Sequence, residues 1–217
     1  MAMSEFALDS GNTAWMLTAS ALVLLMTPGV AFFYGGMVRA KSVLNMMMMS
    51  FGAMGVVGVI WVLWGYSAAF GTGGNAFIGN PLQYFGLVGL TDDNSIMAAA
   101  GVPALVGVVF QATFAIITVA LISGSIADRT KFSAWMVFSA IWLTIVYVPI
   151  ANMVWCGGFE SPTGWVAEHI SAPIDFAGGS VGHITAGAAC LARVPLPGLR
   201  KRFGTEPLRP HYRPVVM

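Results

Sequence analysis

Apolar residues fall along this chain in long blocks, and the charged residues are confined to the seams between them. No Asp, Glu, Lys or Arg occurs in residues 10–38, 42–91, 94–127 or 132–159, and a shorter gap covers 176–192. A helix needs about 20 predominantly apolar residues to cross the hydrocarbon core. Four gaps meet that length outright, and the fifth reaches it only by taking in Arg193. The pattern predicts an all-α integral membrane protein with about five transmembrane helices, near 13–35, 44–70, 101–125, 132–154 and 175–198. The first block is expected to span the membrane. Residues 1–12 carry Glu5 and Asp9 and no basic residue, and the block is too long for the apolar core of a secretory leader.

Charge sign adds an orientation. Taking the helix ends in alternation, one side holds Glu5, Asp9, Asp92, Asp93, Glu160, Glu168 and Asp175, with no basic residue. The other holds Arg39, Lys41, Arg129, Lys131, Arg200, Lys201, Arg202, Arg209 and Arg213 against Asp128 and Glu206. Lys and Arg accumulate on the cytoplasmic side of a membrane. The N-terminus is therefore expected outside, and residues 199–217 are expected to form a basic cytoplasmic tail after a transmembrane domain of residues 1–198. The connections at 39–43 and 126–131 are short and cytoplasmic in this scheme. The outer ones, 71–100 and 155–174, are longer and rich in Gly, Asn and Pro.

Composition excludes several classes. Hydrophobic residues make up 57% of the chain and charged residues 9%, against roughly 25% charged in an ordinary globular domain. A net charge of +1 gives no basic face for a nucleic-acid partner. Two cysteines form no disulfide framework, and nothing around them reads as a metal cluster; no cofactor motif is present. Thr27-Pro28-Gly29 lies inside the first block, where Pro removes a backbone bond and a kink is expected. The run Met46-Met47-Met48-Met49 points around the whole helix and reads as packing.

Few residues could carry chemistry. His183 lies eight positions after Asp175, which on a helix is a descent of about 12 Å. An imidazole at that depth either lines a pathway, as ionisable groups in membranes usually do, or bonds structurally to a neighbouring helix. Asp175, ahead of Gly178-Gly179, suits an N-terminal cap, direct attraction of a cation, or both. Phe110 and Phe114 are spaced i, i+4 and share one helix face, with Gln111 beside them, and Trp155 ends the fourth helix. These aromatics read as lipid-facing and interfacial residues, or as a cage whose ring faces attract a small cation by about 0.5–2 kcal/mol. Gly178, Gly182 and Ala186 form a strip of small residues suited to close helix contact.

Met26-Thr-Pro-Gly-Val-Ala-Phe-Phe-Tyr-Gly-Gly36, Phe110-Gln-Ala-Thr-Phe114, Tyr147-Val-Pro-Ile-Ala-Asn-Met-Val-Trp155 and Asp175-Phe-Ala-Gly-Gly179 resemble the ammonium transporter (Amt/Mep/Rh) family. The likeness runs in order along nearly the whole chain and includes Phe203-Gly and Arg209-Pro-His211. The resemblance implies homotrimers in the plasma membrane with one pore per subunit. Each pore is built from two five-helix inverted repeats and a final helix, of which this chain is the first repeat. It further implies that Phe110, Phe114 and Trp155 form the outer recruitment site and gate. Asp175 is the carboxylate below them, and His183 is the first of two pore histidines. The expected activity is transport of ammonium, deprotonated to ammonia for passage, without catalysis of a covalent change. A cytoplasmic nitrogen-regulatory protein is a partner by analogy.

Two features depart from the family pattern. The chain ends where the first repeat ends, so a partial chain that does not conduct alone is expected. In addition, Arg193, Pro195 and Pro197 interrupt the fifth helix, and Gly182 and Thr185 replace the residues expected beside the histidine. An ammonium sensor and a helical scaffold without transport are the alternative functions.

Overall fold

The computed structural model describes residues 7–90, 97, 100–157, 163–175, 177–194, 198, 203–205, 207 and 209–212. Among these it is all helical. Of the residues in the charge partition, Glu5, Asp92, Asp93, Glu160, Arg200, Lys201, Arg202, Glu206 and Arg213 lie outside the described residues, as do Pro195 and Pro197.

The first charge-free block forms α1 (Ser10–Met37). Asp9, in an extended conformation, caps it by accepting the Asn12 N–H at 2.8 Å, which satisfies one of the donors a helix start leaves free. The helix runs on through Pro28. The second block forms α2, made of Val43–Ile60, a π-helical turn Trp61–Gly65, and Tyr66–Phe70. α3 (Ala104–Ile122) tightens into a 3-10 turn at Ser123–Ile126. α4 repeats the plan of α2, with Phe132–Trp142, a π-helical turn Leu143–Tyr147, and Val148–Trp155. A single helical turn, Trp165–His169, follows. Four stretches are long and apolar enough to cross a membrane: Ser10–Met37, Ala40–Phe70, Ala104–Ile126 and Phe132–Trp155.

The last helix, α5, differs from the expected span 175–198 at both ends. It opens as a π-helical turn Gly179–Ile184 and continues as Thr185–Arg193, about 22 Å of rise against a hydrocarbon core of about 30 Å. Asp175 stays outside the helix because Gly178 turns the backbone into the left-handed region, at φ 72°. His183 is consequently four residues past the first residue of α5, about 6 Å of rise rather than about 12 Å.

α3 is the central helix. It packs against α1, α2 and α5, while α2 packs against α4. α1 keeps Leu17, Leu22, Leu25 and Phe32 on the outside, which an apolar solvent tolerates and water does not. Buried indoles tie neighbouring helices: Trp61 Nε1 donates to Val108 O at 3.2 Å and Trp135 Nε1 to Met49 O at 2.7 Å. α2 and α4 approach closely at Gly52, where a methyl group would sit 2.7 Å from Met136 Sδ and 3.0 Å from the Phe132 ring. The methionine run divides around α2 as its spacing demands, with Met46 and Met49 buried and Met48 exposed. Trp135→Ala opens a cavity between α2 and α4 and removes one such tie. It is expected to cost ~3 kcal/mol, read as a lowered midpoint of detergent unfolding.

Candidate functional site at the mouth of α5

The start of α5 is an electrostatic problem in a membrane, because a bare helix N-terminus presents free N–H groups with no water to bind them. Asp175 resolves it from four residues ahead of Gly179. Its Oδ2 accepts the Ser180 Oγ–H at 2.7 Å, the Val181 N–H at 3.0 Å and the Ser180 N–H at 3.2 Å. The carboxylate is buried, at 5% exposure. Its negative charge also opposes the positive end of the helix dipole. The left-handed Gly178 makes the reach possible, since such a φ is rare for a residue with a side chain.

The same turn is bolted to α4. Trp155 Nε1 donates to the backbone carbonyl of Asp175 at 3.0 Å. Trp155 is itself buried, at 7% exposure, so its indole faces the bundle instead of a lipid interface. Phe114 meets Trp155 edge to face at 6.0 Å between ring centroids, and Phe110 meets Phe114 edge to face at 5.0 Å. A methyl group on Gly178 would lie 3.6 Å from Phe114 and 3.7 Å from Trp155. Phe110, Phe114, Trp155 and Asp175 therefore come together from three elements around one glycine turn.

His183 stands apart, farther along α5. Its N–H bonds to Gly178 O, five residues back, at 2.8 Å, which is the π-helical register. One face of the helix, with Val181, Gly182, Thr185 and Ala186, is buried against the bundle, whereas His183, Ile184, Gly187 and Leu191 are exposed. Within this chain the histidine thus lies on an open, otherwise apolar face.

The residues that depart from the family pattern have packing partners. A methyl group on Gly182 would sit 3.1 Å from Thr118 Oγ1 of α3, so the glycine lets the two helices approach. Thr185 Oγ1 bonds to its own helix, donating to Val181 O and to Gly182 O. Arg193 is the last residue of α5, and its guanidinium stacks 3.7 Å over the Phe138 ring of α4. Ser180 was not among the expected site residues. Its signal in the sequence is only an Asp–Ser spacing of five, which acquires meaning once Gly178 turns the chain back.

Fold and site together define a multi-pass integral membrane protein whose last helix is open on one side. The pattern describing the Ammonium Transporter Family matches residues 14–217. The ammonium transporter of Mycobacterium tuberculosis (strain ATCC 25618 / H37Rv) is 53% identical, over 96% of this chain and 47% of that protein. That of Aquifex aeolicus (strain VF5) is 50% identical, over 91% and 44%. The crystal structure of Candida albicans Mep2 superposes with a TM-score of 0.74 at 37% identity, over 85% of this chain and 38% of that one. The chain belongs to the ammonium transporter family, and it spans about half the length of the curated relatives it matches.

Asp175→Ala leaves the donors of Ser180 and Val181 unpaired and is expected to destabilise the protein by ~2–3 kcal/mol. Asp175→Asn keeps an acceptor and should cost less. Thermal unfolding in detergent ranks the two, and equal losses would show that the negative charge, and not hydrogen bonding, is what stabilises this turn.

Proposed function

We propose that this chain forms one wall of an ammonium pathway, with its N-terminus outside and its basic end in the cytoplasm. The observation that carries the reading is the arrangement along α5. An aromatic cluster and a buried carboxylate stand at its mouth, and a histidine lies on the open face beyond them. Ammonium is recruited where Phe110, Phe114 and Trp155 meet, and the negative Asp175 makes that entrance attractive to a cation. Cation–π attraction at such a site is about 0.5–2 kcal/mol.

A bare ammonium ion does not enter an apolar channel cheaply, whereas ammonia does. The proton is given up at the mouth, and His183 offers an imidazole able to exchange protons near neutral pH along the path. This is binding and proton transfer, with no covalent change to the substrate, so the protein acts as a transporter and not as an enzyme. The open face of α5 needs a second wall. In this reading that wall is an inverted repeat bearing the partner histidine, and this chain alone does not conduct. The intact assembly is a homotrimer in the plasma membrane, serving nitrogen uptake, with its cytoplasmic face available to a nitrogen-regulatory protein.

When the chain is followed in frame by such a second repeat, His183→Ala is expected to abolish methylammonium uptake. Trp155→Leu should weaken apparent affinity by about 2- to 30-fold. Uptake that survives His183→Ala, or robust uptake by residues 1–217 alone, would remove the pore role assigned here.

A further inference from the structure

The basic end of the bundle holds a cluster that the transport reading does not use. The connection between α3 and α4 turns at Asp128, whose φ of 63° places it in the left-handed region that Asp tolerates better than most residues. The Asp128 side chain is 1% exposed and accepts from Arg39 Nε, at the end of α1, at 3.3 Å. The neighbouring Arg129 crosses from this turn to α5. One guanidinium nitrogen donates to Val194 O and to Gly198 O, both at 3.0 Å, and the other donates to Ser125 O in the last turn of α3.

Two of these acceptors, Ser125 O and Val194 O, lie at helix ends, whereas Gly198 O lies in the chain beyond α5. The last carbonyls of a helix have no partner within it, and together they form the negative end of its dipole. A guanidinium is a planar fork of donors with no acceptor and a permanent charge, so it can hold carbonyls from two helix ends at once. α5 has particular need of such a clamp, because it is short and the face with His183, Ile184, Gly187 and Leu191 is exposed among the described residues. A second guanidinium ties the same end to α4, where Arg193 lies over Phe138. Beyond α5 the tail returns to α1, with His211 N–H donating to Val38 O at 2.8 Å and Tyr212 N–H to Gly36 O at 3.0 Å.

We propose that Arg129 is the positioning residue of α5. Its guanidinium joins the ends of α3 and α5 and sets the depth and tilt of the helix that carries His183, while Arg39 and Asp128 hold the turn that aims it. Its consequence for His183 rests on the transport reading, whereas the positioning of α5 does not.

Hydrogen exchange of the full chain in lipid nanodiscs, followed by mass spectrometry, tests this without substrate. Arg129→Gln is expected to raise exchange across residues 185–194 roughly tenfold or more, with α1 and α2 unchanged. Arg129→Lys keeps the charge but not the fork, so it should fall between wild type and Arg129→Gln, and it carries the test if the Gln variant does not fold. His183→Ala should leave the protection of α5 intact, which separates this result from the fate of the transport reading. Unchanged exchange in Arg129→Gln, wild-type exchange in Arg129→Lys, or an equal loss in every helix would each overturn the proposal.

Discussion

A helix that begins inside a membrane must find partners for its first amides, and Asp175 meets that requirement for α5. One carboxylate oxygen gathers a hydroxyl and two backbone donors, and the carbonyl of the same residue takes the indole N–H of Trp155. The aromatic cluster depends on this junction. Trp155 is held against the turn and Phe114 against Trp155, and Gly178 lets the backbone pass between them. Asp175 thus both starts α5 and anchors the aromatic cluster beside it.

α5 is a helix with two unlike sides. Small and short residues, Gly182 and Ala186 among them, bring one side close to α3, where Thr118 stands. The other side presents His183 with Ile184 and Gly187 and is exposed among the described residues. A π-helical turn opens this helix and carries residues of both sides. One bond in the i→i+5 register inserts an extra residue relative to the α-helical ladder and shifts which side chains face the bundle. Similar turns in α2 and α4 bring Trp61 and Tyr147 to 6.3 Å between ring centroids. Backbone irregularity is therefore concentrated where aromatic side chains and the histidine are presented.

The basic end works by a different principle from the mouth. There, the Arg129 guanidinium meets helix carboxyl ends instead of amino ends, and long side chains reach from one element to another. Arg39 meets Asp128, Arg129 meets the carbonyls of α3 and α5, and Arg193 meets the ring of Phe138. Read from the sequence, Arg193 is a charge misplaced within an apolar helix. In the fold its charge is covered by an aromatic face, an arrangement favourable by about 0.5–2 kcal/mol.

Hydropathy and charge sign were enough to expect an all-helical membrane protein and to locate α1 to α4 within a few residues. In a bilayer the backbone groups inside a spanning helix are satisfied within its own segment, and that constraint is written locally along the chain. The motifs were likewise enough to nominate Phe110, Phe114, Trp155, Asp175 and His183. The sequence did not disclose where α5 begins, because a left-handed glycine and a carboxylate reaching forward over four residues leave no hydropathy signal. Nor did it disclose the π-helical turns, which break the 3.6-residue period on which such readings rest. Trp155 meets Asp175, Arg129 meets Val194 and Arg193 meets Phe138 across 20, 65 and 55 residues of sequence. Contacts of that range depend on how the helices pack, so only the tertiary structure could decide them.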